Sequence, residues 1–529
     1  MNAHHLRAPF ADGAVLAVPP LSGAGALLAD NAARLAGWDH DFQGRPASWL
    51  RPTARAQVID LARAFLAGAG LDAPAPAALD RLVVTGHQPE LFHPGVWVKN
   101  FAAAALARES NALALNLIVD NDVPRSPTVR VPRRVGDTLK TERVEFDGRA
   151  GETPYEDFDV VDEGLFASFA DRARAALGGT PPDPVLDEFW PRALGFRGLT
   201  RRLGLRFALA RRAVEASWGV RNLEVPLSAV CETEAFLWFA SHLLAHLPRF
   251  RQVHNDALGR YRALYGIRSK NHPVPALGRQ GDWLEAPFWA WRAGEPRRRP
   301  LFARQLARTM ELRIGGDDQT LLELPLGPDR EACCAVERLL TLPGRGVRLR
   351  TRALTTTMFA RRLLGDLFLH GIGGAKYDEL GDEISARFFG TESPGYLTLS
   401  MTLWLGLGDD PAASGRLAGV ERAIRDLTWN PDRHLPPDAG ADPWVEAKRR
   451  AVFGPVETHS QRLERFRQIR RCNDALQGLV AARREALVGE RGELAARVQR
   501  NAVARSREYA LVLHSRRRLR EALGNLLPG

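Results

Sequence analysis

At 529 residues, with 45% hydrophobic and 26% charged content, the chain has room for two or three domains and a sizeable core, and its composition is that of an ordinary globular protein. The net charge of +11 sits mostly at the end: from Pro455 onward sixteen arginines face eight Asp and Glu, and the remainder is too nearly neutral to form a basic nucleic-acid groove. No apolar run approaches the roughly 20 residues of a membrane span, no segment has the pattern of a secretory signal, and four scattered cysteines argue against a disulfide framework, so a cytoplasmic location without membrane partners is expected.

Residues 1–80 read as a helical lead-in to a core. "PTARAQVIDLARAFLAGAG" has apolar residues at helical spacing and stops at glycine, and "LDAPAPAALD" reads as a short linker. Residues 81–160 read as the first half of that core. "RLVVTG", "GVWVKNFAAAALARES" and "ALALNLIVDND" give strand, helix and strand within about forty residues, the pattern of a parallel α/β unit covered on both faces. Residues 161–330 read as helical and connective: "LRFALARRAVEASWGV" and "TEAFLWFASHLLAHLPRF" have helical periods. From Trp283, short aromatic runs broken by Gly and Pro suggest a small antiparallel sheet. Residues 331–453 return to a strand and helix pattern and would complete the core. Residues 454–529 carry Leu476, Val480, Leu487, Leu494 and Val498 at intervals of four and seven, predicting long amphipathic helices in a coiled arm that breaks near Gly489 to Gly492.

The chemistry is densest in "VVTGHQPELFHPGVWVKN". In a parallel unit the carboxyl end of a strand and the amino end of the next helix face one crevice, where free helix N–H groups favour negative charge. Pro94 suits the first helical position and makes His93 the cap. Thr85, Gly86, His87, Gln88 and His93 are then expected to line the crevice; the plainer alternative is a polar turn that satisfies its own amides. "VDND" ends the second strand, placing Asp120 and Asp122 on one side of an extended chain, suited to a ribose hydroxyl, an amine or a magnesium ion, or else to turn capping before Pro124. His272, Glu285 and Trp289 fall in a proline- and tryptophan-rich stretch that reads either as a binding loop with stacking platforms or as a rigid structural loop. In "HGIGGAKYDELGDEI", Gly371 and Gly373 form a turn able to accept phosphate, with Lys376 and Tyr377 adjacent.

Taken together, "VVTGHQPELFHPGVW", "LIVDND" and "LFLHGIGGAKYDEL" resemble the bacillithiol biosynthesis cysteine-adding enzyme family, the cysteine ligases of low-molecular-weight thiol synthesis. Thr85, Gly86, Gln88, Leu91 and Phe92 match its first motif, Asp120 and Asp122 its second, and Gly371, Gly373 and Tyr377 its third. His87, Val119, Asn121 and Gly374 depart from it. The resemblance implies a Rossmann-like, nucleotidyl-transferase-type parallel core with a helical insertion, a small connective α+β domain, and C-terminal coiled-coil helices that support a homodimer. It also implies ATP or another nucleotide, with Mg2+ as a candidate ion, and the joining of an amino acid to a small amine. On that reading His87, His93, Asp120 and Asp122 are catalytic. Thr85, Gly86, Gln88, Gly371, Gly373 and Tyr377 hold the nucleotide, and His272, Glu285 and Trp289 the substrate. A catalytically degenerate dimeric scaffold of the same fold is the alternative. Nucleic-acid binding by the Arg-rich tail is disfavoured, since that tail offers only Phe466 and Tyr509 for base stacking.

Overall fold

The computed structural model describes residues 6–75, 81–136, 138–148, 151–268, 274–436, 442–524 and 526, so His272 lies outside the described residues. The lead-in opens with a strand, β1 (Val15–Val18), followed by α1 (Ala24–Ala36) and α2 (Ala47–Gly68). Leu50, Ala54, Val58, Ile59, Ala62 and Leu66 form the buried stripe of α2 that its helical period encodes. Next come β2 (Leu82–His87), α3 (Pro94–Glu109) and β3 (Leu113–Ile118), as the sequence predicts. Both strands are covered on both faces, which is why, apart from the hydrogen-bonded Thr85, His87 and Asn116, they run apolar without alternation. His93 caps α3, its Nδ1 accepting the Gly95 N–H at 3.0 Å, and Pro94 takes the first helical position.

A hairpin of β4 (Thr128–Val135) and β5 (Thr138–Glu145) leads to α4 (Glu163–Leu177), α5 (Leu186–Gly195) and α6 (Leu203–Ser217). The stretch expected to be helical then contains a strand, β6 (Leu223–Pro226), before α7 (Leu227–Val230), α8 (Glu234–Ala245) and α9 (Leu247–Leu264). Short strands follow: β7 (Arg279–Gln280), β8 (Trp283–Arg292), β9 (Arg299–Gln305), β10 (Met310–Ile314) and β11 (Leu322–Leu324). After α10 (Cys333–Leu340) come β12 (Val347–Thr351), α11 (Ala353–Phe359), β13 (Leu367–His370), α12 (Ile372–Phe389) and β14 (Tyr396–Met401). The chain ends with α13 (Ala413–Trp429), α14 (Pro443–Phe453), α15 (His459–Leu476), α16 (Ala481–Ala504) and α17 (Arg516–Gly524). Among the described residues no helix is long and apolar enough to cross a membrane.

Six strands form the main sheet in the order β1-β14-β13-β2-β3-β6; all neighbours are parallel except β1, which runs antiparallel to β14 at the edge. The five parallel strands, counted along the chain, therefore lie in the order three-two-one-four-five. The order reverses between β2 and β13, and the carboxyl ends of an open α/β sheet bind ligands at such a reversal. A second, antiparallel sheet has the order β11-β10-β9-β8-β12, with β7 on β8. β12 thus joins the connective sheet and not the core, although the sequence placed it among the core elements.

The chain divides into two compact units: one comprises Met1–Val131, Glu142–Leu405 and Arg507–Gly529, the other Pro132–Thr141 and Gly406–Ser506. Both large sheets belong to the first. In the second, α13 packs on α16 and α14 on α15. The tail helix breaks at Gln477–Val480, and α16 runs unbroken through Gly489 and Gly492. The expected break near those glycines is therefore misplaced: a solvent-facing glycine inside a helix costs only about 1 kcal/mol, too little to end one that packs along its length.

Candidate functional site

A cavity of about 250 Å³ lies at the carboxyl edge of the parallel sheet. Its walls are the turns after β2 and β3, β8 of the connective sheet, the β12–α11 junction and α9. Val119, Phe250, Leu277, Leu354, Met358 and Ile384 give it an apolar floor. The polar side begins with Asp122, which accepts from Arg298 Nη2 at 2.6 Å, Gln88 Nε2 at 3.0 Å and the Val123 N–H at 2.9 Å. Burial pushes the Asp122 carboxyl up, but Arg298 and these donors outweigh it and hold the group below the usual carboxylate range. Arg298 Nη1 also donates to the Asn121 carbonyl at 2.7 Å.

Trp289 carries two cations, the Arg298 guanidinium 5.0 Å and the Arg352 guanidinium 4.2 Å from its ring centre. Arg352 donates to Glu285 Oε1 at 2.6 Å, and Gly278 N–H donates to the other oxygen of Glu285 at 2.7 Å. The Arg352 Nε is buried with no hydrogen-bond partner among the described residues. His254 Nε2 lies 3.2 Å from the Pro275 carbonyl, and burial pushes its pKa down to about 4, leaving a neutral ring in the wall. The cavity therefore offers two guanidiniums on an aromatic plate, one ionised carboxylate opposite a glutamine amide, and an apolar floor. That set suits a small molecule carrying a carboxylate and an amine.

Of the sequence-predicted residues, Gln88, Asp122 and Trp289 line this cavity, and Glu285 stands behind Arg352. The others have different occupations. His87 is 7% exposed, its Nε2 3.1 Å from Asn100 Oδ1, and burial together with Arg211 and Lys99 pushes its pKa well down. The same Asn100 donates to Glu215, which also accepts from Trp97 and Arg211, so His87 belongs to a buried network on α3 and α6. Asp120 accepts from the backbone N–H and hydroxyl of Ser228 and joins β3 to α7, while Asp122 turns to Arg298. The two aspartates thus diverge. β3 ends at Ile118, so the alternation that would have aligned them no longer applies.

Thr85 Oγ1 donates to the Leu369 carbonyl and ties β2 to β13. A Cβ on Gly86 would lie 3.3 Å from Leu117, and Lys99 Nζ donates to the Gly86 carbonyl at 2.9 Å. Burial pushes the Lys99 amine down to about 8. His93 is held as the α3 cap, and its ring is pushed down to about 4 chiefly by burial. Gly371 and Gly373 open α12, where no side chain caps the first turn, and Tyr377 lies half-buried on the same helix, packed against the core.

Sequence reasoning missed Arg298, Arg352 and His254. The first stands in the charge run "RRRP" and the second in "RLRTR", where neither could be told from a solvated arginine. Nothing in the sequence around His254 marks it. Among the described residues no group of three or more His, Cys, Asp or Glu is placed to hold a metal ion. The chain matches no known family model, and no curated protein matches it.

Proposed function

We propose that the chain is a ligase-like enzyme that joins an amino acid or similar carboxylate to a small amine, as the cysteine-adding enzymes it resembles do. The observation that carries this reading is the cavity beside the strand-order reversal. Arg298 and Arg352 bind the carboxylate of the acid, Asp122 and Gln88 orient the amine, and Trp289 holds the two guanidiniums in place. A volume of about 250 Å³ suits an amino acid and is below the roughly 300–1,000 Å³ of pockets that enclose drug-sized ligands.

The three-two-one-four-five order supports a Rossmann-like core. A nucleotide does not fit the cavity beside an acid, but the Gly371–Gly373 turn suits its phosphates. A Cβ at Gly371 or Gly373 would meet nothing within 4 Å, and α12 has free N–H groups in its first turn. A bound nucleoside triphosphate would supply the carboxylate activation, with magnesium held mainly by its phosphates.

Exchange of labelled pyrophosphate into ATP, measured across a panel of amino acids and small acids, tests the reading. Exchange that depends on one acid, together with a raised melting temperature in that acid, is the expected result. No exchange and no shift with any acid at millimolar concentration sinks it.

The second reading, a dimeric scaffold without catalysis, is favoured by the bonds that commit His87 and Asp120 to structural partners. Either reading accommodates a homodimer through the C-terminal helices, where Leu463, Phe466 and Leu479 are exposed in the second unit.

A further inference from the structure

The cavity at the carboxyl edge of the parallel sheet has two unlike ends, and a carboxylate and an amine occupy only one of them. The charged lining residues, Asp122, Arg298 and Arg352, gather around Trp289, and Asp122 and Arg298 are part-exposed. The other end is made by helices. Phe250 comes from α9, Leu354 and Met358 from successive turns of α11, and Ile384 from α12, with Leu277 closing the side. All five are buried, and none of the residues that α9, α11 and α12 contribute to the lining is Asp, Glu, Lys or Arg. An entering molecule thus keeps its charged end toward solvent and sends its other end among the helices.

The polar atoms on the helical side are engaged within the wall. Thr355 Oγ1 donates to the Pro287 carbonyl at 2.9 Å, the Thr351 and Thr356 hydroxyls lie 2.6 Å apart, and Thr356 Oγ1 donates to the Arg352 carbonyl at 3.1 Å. His254, uncharged at neutral pH, has its Nε2 on the Pro275 carbonyl. A charged or polar group pushed in here would lose its water and find these partners taken. Hydrocarbon would leave water and meet carbon on several sides, which is favourable.

We infer that the acid bound here is an apolar amino acid of leucine or methionine size, its ammonium and carboxylate at the charged end and its side chain between Phe250, Leu354, Met358 and Ile384. This assignment rests on the ligase reading for the head group and adds the class of side chain. It departs from the cysteine of the enzymes that the chain resembles: so short a side chain would leave most of the apolar end unfilled, and unfilled apolar wall forfeits contact energy.

Calorimetric titration of the full chain with glycine, alanine, norvaline, norleucine and leucine, beside cysteine, serine, aspartate and lysine, tests the assignment. Affinity is expected to climb by about fourfold for each methylene, so that leucine exceeds alanine by about fiftyfold. Cysteine and serine should bind about tenfold or more below leucine, and aspartate and lysine should not bind. Met358→Gln keeps the length of the side chain and makes the wall polar. It should weaken leucine and norleucine by about tenfold and leave alanine unchanged; if it fails to fold, the wild-type series decides alone. A flat series overturns the assignment, as does cysteine, aspartate or lysine bound as tightly as leucine, undiminished leucine binding in the folded variant, or no binding by any of these acids. Pyrophosphate exchange separates this assignment from the reading it rests on. Leucine bound in the expected order without exchange keeps the apolar side chain and sinks the ligase, whereas exchange driven by a polar acid alone does the reverse.

Discussion

Asp122 has three donors and one of them, Arg298, is an ion-pair partner, so Asp122→Asn keeps the shape of the cavity and removes its negative pole. Affinity for the amino-acid ligand should fall by about ten- to a hundredfold in a calorimetric titration. The melting temperature should barely move, since the Asp122 and Arg298 side chains are 29% and 23% exposed and such pairs are screened. The buried histidines make a different prediction. His40, His93 and His254 are pushed down to about 4 and His242 to about 2, in each case first by burial; His40 and His242 also face each other at 3.0 Å. Below their ordinary value of 6.5 the unfolded chain takes up protons that the folded chain refuses. Stability contributed by these rings is therefore fully present above pH 6.5 and lost as pH falls toward 4. Glu156, pushed up to about 7 by burial despite Arg350, has the opposite sign, losing stability as pH rises from 4.5 to 7. The carboxyls of Glu90, Asp120, Glu224 and Asp382, also raised by burial, share that sign, but His87, His246 and His514 are pushed down as well and add to the four rings on the other side. Thermal melts should show a plateau above pH 7 and a progressive fall from pH 6.5 to 4; a flat profile over that acid range would contradict the assignment. At this scale the sequence disclosed which residues are polar and where the turns fall. It could not disclose that His87 faces Asn100 while Gln88 faces Asp122, because that choice is made by α3 and α6 packing behind the strand.

Elements were legible where their residues are contiguous and their pattern strong. β2, α3 and β3 show as apolar run, capped helix and apolar run; the Pro94 signal placed the helix start on its residue. β6 was hidden, because four buried residues between two helices have no alternation to display. β1 was hidden for another reason: it is an edge strand whose partner, Thr398 to Met401 in β14, lies some hundreds of residues further along the chain. In α16 the glycines suggested a break that the packing of α13 overrides. That helix supplies its own test. Gly489 and Gly492 are exposed, and a Cβ on either would meet nothing within 4 Å. Gly489→Ala and Gly492→Ala should each stabilise the second unit by about 0.5–1 kcal/mol, through helix propensity and a less flexible unfolded chain. Urea unfolding followed by circular dichroism should show the doubly substituted chain unfolding later; an earlier transition would mean that these positions serve as a hinge.

For the molecule as a whole, composition located the charge and excluded a membrane-length apolar helix, while the sheet assembly stayed invisible because its strands come from 15–18, 82–118, 223–226 and 367–401. The proposed dimer belongs at this scale. Leu463 and Phe466 are 44% and 52% exposed one helical turn apart on α15, an apolar pair with no cover in the second unit. Light scattering after size-exclusion chromatography should give a dimer for the wild-type chain and a monomer for Phe466→Glu with an intact melting profile; a monomeric wild type would remove the dimer from both functional readings. The last residues have a role unlike that of the helices just before them. After Ser506 the chain leaves the second unit, Leu511 donates to the Phe92 carbonyl at 2.7 Å, and Leu511, Val512 and Leu513 are buried beside the start of α3. During translation, β2 and β3 therefore emerge from the ribosome long before the segment that covers their helix exists. A chain cut before Leu511 would not merely lose an arm: it would leave the apolar start of α3 bare, for chaperones and proteases to find.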